Sequence, residues 1–384
     1  MAPTSLTELQ EAIRSHPQVL AVGARTKPRL SQVDDCTLLS MRGLSGITEY
    51  QPSEYTFTAL AGTPLHELEQ VLTEQGQAMP FDPLLSRAGS TLGGATATGL
   101  SGPGRFRYGG IRDFLLGLTY IDGTGQPIRT GSRVVKNAAG FDLPKLMVGS
   151  LGRFGVLAEL TFKVFPAFRA RISLQVECTD CHQATERLIE AACSRWELLA
   201  LDYDPAQKRL LLQLGGPQRA LEQIAADIEN RWPGDVQPIE SCTADTCWET
   251  IRTLGLDLTE SEQAPTRPTR ASQTVVAQVA LTPTVVPELE QKLGSMEGVN
   301  SHYSVGGNVA TLICQQPDNI PPISKLLAEL QLVGLVLQGC DAPLWLGTTQ
   351  PTAIDRAIKT ALDPQCRFPS YDIANLQADH VAHH

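Results

Sequence analysis

The chain has 384 residues and a formal net charge of −10 at pH 7. At roughly 100–200 residues per domain, this length predicts two or three domains. Hydrophobic residues make up 42% and charged residues 19% of the chain, and this composition excludes a disordered or collagen-like protein. The negative net charge argues against general binding to nucleic acids or anionic membranes.

The first 80 residues predict two helices and several short strands. Ser5 is placed to cap a helix that runs to about Ser15, with Leu6, Leu9 and Ile13 on one weak apolar face. A second helix is predicted at Leu65–Gln75 and ends at Gly76. Strands are predicted at Val19–Val22, Thr37–Met41 and Tyr55–Ala61. The segment from Met79 to Pro83 is predicted to be a rigid extended link.

Glycine is concentrated in the next segment, because residues 89–155 hold 16 of the 32 glycines. Glycine is needed where the backbone takes positive φ or approaches a ligand closely. The segment is therefore either a set of tight turns between strands or a cradle of backbone N–H groups for phosphate. It contains neither the Rossmann fingerprint nor a P-loop. Its predicted elements are strands at Phe114–Ile121 and Val156–Val164, a hairpin turn at Asp122–Gly125, a returning strand from Ile128, and a helix at Pro144–Met147.

The second half predicts two similar passes of strand, helix, strand, strand and helix. This pattern indicates an α+β domain with an antiparallel sheet backed by helices. The predicted strands are Ile172–Val176, Leu198–Tyr203, Arg209–Leu214, Val275–Leu281, 300–305 and 308–314. The predicted helices are Gln183–Ser194, Gln218–Asn230, Val286–Leu293, 321–331 and, at the end of the chain, Pro351–Leu362. The segment from Ser241 to Gln273 is ambiguous.

Four stretches, in one order, resemble the PCMH-type FAD-binding domain of the vanillyl-alcohol oxidase superfamily. They are most similar to the branch that contains the E subunit of bacterial glycolate oxidases. The stretches are Ala21–Lys27, Gly89–Pro103, Arg107–Asp113 and Val135–Val156, and the ending Leu362-Asp363-Pro364-x-x-Arg367-Phe368 is similar to the family's C-terminal motif. The resemblance implies an α+β fold, with a two-subdomain FAD-binding domain at 1–170, an α+β cap domain with an antiparallel sheet at 171–350, and a C-terminal helix and tail at 351–384 that returns to the FAD domain.

The resemblance implies FAD as cofactor, and the residue chemistry agrees with it. Successive backbone amides of the Gly23 and Gly89–Gly94 loops can donate to the pyrophosphate, as anion-binding nests do. The segment 89–113 contains no histidine or cysteine, so we expect FAD to be bound non-covalently. The pyrophosphate loop of the family usually holds several glycines. In this chain only Gly23 remains there, and bulkier and positively charged side chains stand in place of the others. The predicted cofactor-binding residues are Gly23, Ala24, Arg25, Thr26, Lys27, Pro80, Gly89, Ser90, Thr91, Gly93, Gly94, Thr98, Gly99, Ser101, Tyr108, Gly109, Asp113, Lys136, Asn137, Gly155 and Val156.

The resemblance further implies the FAD-binding subunit of a glycolate dehydrogenase or oxidase, which oxidises a 2-hydroxy acid and passes electrons through flavin to a partner. The implied partners are a D-type flavoprotein subunit and an F-type iron–sulfur subunit of glycolate oxidase. Two alternatives remain. One is a stand-alone FAD oxidoreductase of another hydroxy acid or a sugar alcohol, and the other is a structural subunit that has lost FAD.

No catalytic residue and no metal site is predicted. The stretch from His302 to Asn308 lacks the acidic residue and the second histidine of the related D-subunit signature. A lone histidine is more often a satisfied residue than a ligand. Arg105, Arg107 and Arg112 either face solvent or line a site for pyrophosphate or carboxylate.

Cysteine motifs are interpreted as structural. The stretch Cys178–His182 matches the haem c pattern, but Thr179 and Asp180 are natural caps between a predicted strand and a predicted helix. A zinc site from Cys178, Cys181, Cys242 and Cys247 has loose spacing. The chain begins without a basic or apolar leader and has nine scattered cysteines, so we expect reduced thiols and a cytoplasmic protein, peripheral at a membrane only through its complex.

Overall fold

The computed structural model describes residues 1–131, 142–256, 274–339, 341–348 and 353–370. The strands are β1 (Val19–Val22), β2 (Thr37–Ser40), β3 (Ile47–Gln51), β4 (Thr56–Leu60), β5 (Gln77–Ala78), β6 (Leu115–Ile121), β7 (Pro127–Gly131), β8 (Val156–Lys163), β9 (Phe165–Pro166), β10 (Ala170–Glu177), β11 (Ala200–Asp204), β12 (Arg209–Gly216), β13 (Val236–Ile239), β14 (Val275–Ala280), β15 (Val299–Ser304), β16 (Val309–Cys314), β17 (Val333–Gln338) and β18 (Trp345–Gly347).

Helices occur in both halves of the chain. They are α1 (Leu6–Ser15), α2 (Leu65–Glu74), α3 (Leu92–Thr98), α4 (Arg105–Tyr108), α5 (Ile111–Phe114), α6 (Leu143–Met147), α7 (Cys181–Ala192), α8 (Gln218–Arg231), α9 (Ser241–Arg252), α10 (Val286–Leu293), α11 (Ile320–Glu329) and α12 (Ala353–Leu362). Among the described residues, no helix is both long enough and apolar enough to cross a membrane.

The N-terminal half is built on small sheets. β1 and β2 form a parallel pair, and β3, β4, β8, β6 and β7 form a five-stranded antiparallel sheet in that order. β5 and β9 form a short antiparallel pair. Phe57, Phe81 and Phe162 pack in the core beside the five-stranded sheet.

The second half forms one nine-stranded antiparallel sheet, in the order β13-β10-β12-β11-β15-β16-β14-β17-β18. Its first part follows the chain order β10-α7-β11-β12-α8-β13, and its second part repeats this as β14-α10-β15-β16-α11-β17. The two predicted passes and the α+β fold class are therefore confirmed. The two parts meet where β11 pairs with β15, through the register pair of Tyr203 with Tyr303.

One face of the large sheet carries most of its hydrophobic core. Leu201, Tyr203, Leu212, Tyr303 and Leu312 point toward the helices on this face, and all are almost fully buried. Because side chains alternate along a strand, the residues between them point to the opposite face. That opposite face carries α9, whose Trp248 packs beside Ala200 and Leu211.

Local sequence signals explain where α1 and α7 begin. The Ser5 side chain accepts a hydrogen bond from the Glu8 N–H, and the Asp180 side chain accepts one from the Gln183 N–H, so both are N-caps. Asp180 therefore has the capping role expected within the Cys-x-x-Cys-His stretch. The predicted apolar face of α1 was partly wrong, because Ala12 is buried in it and Leu6 is 40% exposed.

Several predicted segments differ from the structure. The segment from Met79 to Pro83 is a turn rather than an extended link, with Asp82 at φ 48°. The ambiguous segment begins with α9, while residues 257–273 lie outside the described ranges. No strand was predicted at β3, β13, β17 or β18. Each of these strands is short or borders the edge of a sheet, where alternation is weak.

The end of the described chain lies against its beginning. Ile358 and Leu362 of α12 pack against the core of the five-stranded sheet, and Phe368 packs in a second core with Ile121. The Val19 N–H donates to the Arg367 carbonyl over 2.7 Å. Residues 353–368 therefore return to the N-terminal half.

Candidate functional site

A cleft opens between three segments of the N-terminal half: the turn that follows β1, the start of α3, and the segment that leads into β8. Its lining is Leu20, Ala21, Val22, Gly23, Ala24, Arg25, Thr26, Lys27, Leu30, Ser31, Met41, Ala61, Ser90, Thr91, Gly93, Gly94, Ala97, Thr98, Leu151, Gly152, Gly155 and Leu157. Three segments that are distant in sequence thus build one apolar cleft with a few polar groups, which is the usual character of a cofactor site.

The turn at residues 23–27 exposes its backbone to this cleft. Among the described residues, no hydrogen-bond acceptor is found for the backbone N–H groups of residues 23–27. A Cβ atom on Gly23 would lie 2.2 Å from Thr91 Oγ1, so only glycine fits there. Arg25 has φ 57°, the left-handed conformation that glycine adopts most readily. The turn is therefore formed with Arg25 in a glycine-like conformation, and it presents a row of donors suited to an anion.

Lys27 supplies a buried positive charge to the cleft. Its side chain is 8% exposed, and Nζ lies 3.4 Å from both Thr26 Oγ1 and Ser90 Oγ. No ion pair with a carboxylate in the described ranges accompanies it, and burial alone lowers the pKa of the Lys27 ammonium to about 8. A buried cation without a counter-ion is costly, so its presence in a ligand cleft points to an anionic ligand.

The second wall of the cleft is the start of α3. Thr91 is the N-cap, and its Oγ1 accepts a hydrogen bond from the Gly94 N–H over 3.2 Å. A Cβ atom on Gly93 would lie 2.7 Å from Ala61 Cβ, so this glycine lets the helix lie directly on the end of β4. Ser90 is buried, and its carbonyl accepts from the Leu65 N–H at the start of α2. These contacts hold the Ser90–Thr98 wall against the end of β4 and the start of α2.

The third wall contains two special backbone positions. Leu151 has φ 51°, and Gly152 has φ 72°. A Cβ atom on Gly155 would lie 2.7 Å from the Tyr120 ring, so glycine is required where this segment crosses β6. The wall is apolar, as the flat ring systems of a dinucleotide require.

The structure brings about half of the predicted residues together in this cleft. The residues that line it are Gly23, Ala24, Arg25, Thr26, Lys27, Ser90, Thr91, Gly93, Gly94, Thr98 and Gly155. Pro80, Gly89, Gly99 and Val156 lie outside the lining, and the last three are each next in sequence to a lining residue. Lys136 and Asn137 lie outside the described residues.

The remaining predicted residues hold the neighbouring loop. Ser101 Oγ accepts from the Ile111 N–H over 3.1 Å, and the Asp113 carboxylate accepts from the Gly110 N–H over 2.8 Å. Gly109 has φ 91° and packs on Asp113. The Tyr108 ring packs edge-to-face on Phe165 at 5.3 Å. These residues lie outside the cleft lining and shape the loop that follows α3.

Sequence reasoning missed the apolar part of the lining. Leu20 and Val22 belong to β1, Met41 follows β2, and Leu157 belongs to β8. Each was predicted to lie in or beside a strand. Since apolar strand residues serve equally well in a core, only their placement beside the polar turn identifies them as site residues.

The cleft fits the cofactor that the resemblance implies. FAD carries a doubly charged pyrophosphate between two flat, largely apolar ring systems. The N–H groups of residues 23–27, which have no acceptor among the residues that the structure describes, and the Lys27 ammonium match the pyrophosphate. The leucine, alanine and glycine walls match the rings.

The second half holds a polar cluster on the sheet face that carries α9. His302 Nε2 lies 2.9 Å from an Oδ of Asp202, whose side chain is fully buried. The same carboxylate accepts from Ser304 Oγ over 2.5 Å and from the Val305 N–H over 3.3 Å. His302 is therefore held by a buried carboxylate rather than isolated. Within the described ranges, no group of three or more His, Cys, Asp or Glu side chains converges on a metal position.

Arg105 and Arg112 are exposed, and Arg107 pairs with Glu197 over 3.1 Å. These three arginines thus face solvent, in agreement with one of the two interpretations. The eight cysteines in the described ranges are all free.

One family profile and several known proteins match this chain. The profile of the family described as "FAD binding domain" matches residues 1–131. The chain is 41% identical over 172 residues to the glycolate oxidase subunit GlcE of Escherichia coli (strain K12), which covers 45% of this chain and 49% of that relative. It is 30% identical over 202 residues to the D-2-hydroxyglutarate dehydrogenase of Xanthomonas citri pv. viticola, which covers 45% of this chain and 43% of that relative.

These alignments span about half of the length of the two curated relatives or less. The fold extends further. A solved structure of alkyldihydroxyacetonephosphate synthase superimposes with a TM-score of 0.67 at 16% identity and covers 95% of this chain and 74% of that chain. At this identity the match shows the fold alone, and it extends across both halves of the chain.

Proposed function

The profile of the FAD binding domain matches residues 1–131, and from this match we propose that the whole chain is an FAD-dependent oxidoreductase subunit acting on 2-hydroxy acids. The proposed reaction is oxidation of glycolate, or a similar small 2-hydroxy acid, to the 2-oxo acid. When bound, FAD supplies the acceptor for the hydride that leaves the alcohol carbon, and this hydride carries both of the electrons that the substrate loses. This chain supplies the binding, orientation and electrostatics.

One observation carries the FAD part of the proposal: within the described part of the chain, the buried cation of Lys27 has no carboxylate partner, and the backbone N–H groups beside it have no acceptor. We propose that these groups hold the pyrophosphate, together with the hydroxyls of Thr26, Ser90 and Thr91. Arg25 adds positive charge at the mouth of the cleft. The glycines at 23, 93 and 155 allow the surrounding backbone to pack closely enough to form the cleft.

The substrate class rests on the names of the relatives. One is called a glycolate oxidase subunit and another a D-2-hydroxyglutarate dehydrogenase, and both names refer to 2-hydroxy acids. The word subunit in the first name supports assembly into a complex. We propose a D-type flavoprotein and an F-type iron–sulfur protein as partners, which would carry out substrate oxidation and electron transfer with this chain.

We further propose that residues 1–170 form the FAD-binding domain and that residues 171–350 form the cap domain. Residues 351–384 are then the C-terminal helix and tail that return to the FAD-binding domain. The five-stranded sheet lies within the first range and the nine-stranded sheet within the second, which supports this division. A cytoplasmic location, with membrane association only through the complex, agrees with the free cysteines.

A second candidate is a stand-alone oxidoreductase, and the pair of Asp202 and His302 favours it. A buried carboxylate that holds one imidazole nitrogen fixes the ring and leaves the other nitrogen to accept a proton. His302 also lines a groove between the large sheet and α9, together with Arg209 and Thr250. In this candidate the groove holds the acid and His302 takes the hydroxyl proton.

The visible absorption spectrum of the purified chain, before and after anaerobic addition of glycolate or D-lactate, tests both candidates. A flavin spectrum that stays oxidised until partner subunits are added supports the complex. A spectrum that bleaches with the chain alone, but does not bleach in His302→Asn, supports the second candidate. Failure to bind added FAD contradicts both and leaves a structural subunit.

A further inference from the structure

Arg252 is the last residue of α9 and reaches across to the N-terminal half. Its Nε lies 2.7 Å from Asp82 Oδ1, and the two side chains are 22% and 19% exposed. Asp82 holds the pKa of the Arg252 guanidinium above its usual range, and burial opposes this. The two residues are 170 positions apart in sequence. This largely buried ion pair therefore joins the two halves.

Asp82 is also bound to the loop that follows α3. Its Oδ2 accepts from the Gly104 N–H over 2.9 Å, and its carbonyl accepts from the Gly102 N–H over 2.6 Å. A Cβ atom on Gly102 would lie 2.7 Å from the Asp82 carbonyl oxygen, so the two backbones are in direct contact. One oxygen of the carboxylate thus binds Arg252 while the other binds this loop.

Arg252 also holds the segment that leads to the cleft. Its carbonyl accepts from the Leu85 N–H over 3.0 Å, and the Leu85 carbonyl accepts from the Ser90 N–H over 3.1 Å. Leu85 has φ 59°, a strained conformation for a leucine that persists only where its surroundings enforce it. Ser90 lines the cleft and lies 3.4 Å from Lys27 Nζ. A chain of direct contacts therefore leads from Arg252 to the cofactor cleft.

We infer that Arg252 is a positioning residue for the cofactor cleft, so that the affinity of this chain for FAD depends on a side chain of its second half. The inference rests on the proposed FAD site. Arg252 binds the Asp82–Leu85 turn through both its guanidinium and its backbone carbonyl. This turn in turn bonds to the start of the Ser90–Thr98 wall and to the loop at residues 102–104. Residues 1–131 alone would lack this support.

The test is the dissociation constant of FAD, measured by flavin fluorescence on the full-length apoprotein. Arg252→Gln removes the ion pair with Asp82, and we expect the dissociation constant to rise about tenfold, since the coupling between two sites typically changes affinity about 5- to 150-fold. Arg252→Lys keeps the charge, and we expect it to restore part of the affinity. Arg87→Gln is the matched control, because Arg87 pairs with Glu249 in the same cluster but is 72% exposed.

Circular dichroism of the bound flavin and the unfolding midpoint of the apoprotein separate positioning from folding. We expect Arg252→Gln to alter the flavin signal and to weaken binding per folded molecule. A lower unfolding midpoint with FAD affinity within about twofold of wild type would overturn the inference. If Arg252→Gln does not fold, Asp82→Asn breaks the same pair from the other side and must weaken FAD binding similarly. A wild-type chain that fails to bind FAD overturns the proposed function as well, whereas unchanged affinity in the variants overturns this inference alone.

Discussion

The ammonium of Lys359 lies 2.6 Å from the carboxylate of Asp363, a side chain with no exposed surface. The same Nζ donates to the carbonyls of Arg153 and Phe368, each over 2.7 Å. The carboxylate also accepts from the N–H groups of Arg367 and Phe368. One buried ion pair thus binds the end of the described chain to the segment that forms the third wall of the cleft.

Asp363→Asn should destabilise the protein strongly. The substitution keeps the shape of the side chain but removes the counter-ion of a buried ammonium, and breaking such a pair costs about 3–5 kcal/mol. Urea unfolding of the apoprotein measures the loss. Glu329→Gln is the control, since its exposed pair with Lys325 should change the free energy of unfolding by less than about 1 kcal/mol. Equal effects of the two substitutions would contradict the prediction.

FAD affinity should decrease as the pH rises above about 8. Burial lowers the pKa of Lys27 to about 8 in the free protein, and a bound pyrophosphate raises it again. Binding then favours the protonated form, so the dissociation constant is constant below this pKa and rises above it by up to about tenfold per pH unit. Titrations with FAD between pH 6.5 and 9.5 measure this. Lys27→Arg keeps its charge throughout, so a pH dependence that persists in this variant would assign the titration to another group.

Lys27→Met should separate stability from binding. The buried ammonium has no carboxylate partner in the described ranges, so replacing it with an apolar side chain of similar length should stabilise the apoprotein near pH 7. Because the pKa of Lys27 is lower in the folded state, the unfolded chain binds more protons between about pH 8 and 10.4, and wild-type stability should rise with pH in that window. The variant should lack this rise and should bind FAD at least about tenfold more weakly. Unfolding curves at pH 7 and 9.5, with and without FAD, measure all three effects.

Gly23→Ala should weaken FAD binding through Thr91. The new methyl group would lie 2.2 Å from Thr91 Oγ1, so either the turn or the helix cap must move. Thr91→Ala removes that oxygen, at a cost of about 1 kcal/mol for the lost cap. Gly23→Ala should therefore have a smaller effect on FAD affinity in the Thr91→Ala background than in wild type. Additive effects on the FAD dissociation constant would show that the contact does not matter.

The sequence predicted most elements because their signals are local. Capping at Ser5 and Asp180 marked two helices, and the repeated strand–helix pattern marked the large sheet. The helix α3 was missed because four of the seven residues of Leu92–Thr98 are glycine or threonine, which have weak helical preference. It forms because Thr91 caps it and Gly93 packs directly on Ala61.

The polar part of the cleft followed from glycine content and from the resemblance, but its long-range contacts could not be predicted. Asp82 and Arg252 are 170 positions apart, and Asp202 and His302 are 100 positions apart. Taken alone in the sequence, each residue of these two pairs is of a polar type that usually lies on the surface. Only the packing of the sheets places an acid beside its base, so the sequence carried no signal for either pair.

The seam between the two parts of the nine-stranded sheet has a consequence for how the protein opens. The strands on either side of it are paired over five or six residues, whereas β11 and β15 share the single register pair Tyr203 with Tyr303, whose rings stack at 6.0 Å. Backbone amides are protected from hydrogen exchange by the ladders in which they take part. Amides beside this seam should exchange with deuterium before those of β10, β12, β14 and β16, so that the sheet opens as two cooperative units, each with its own helices and core.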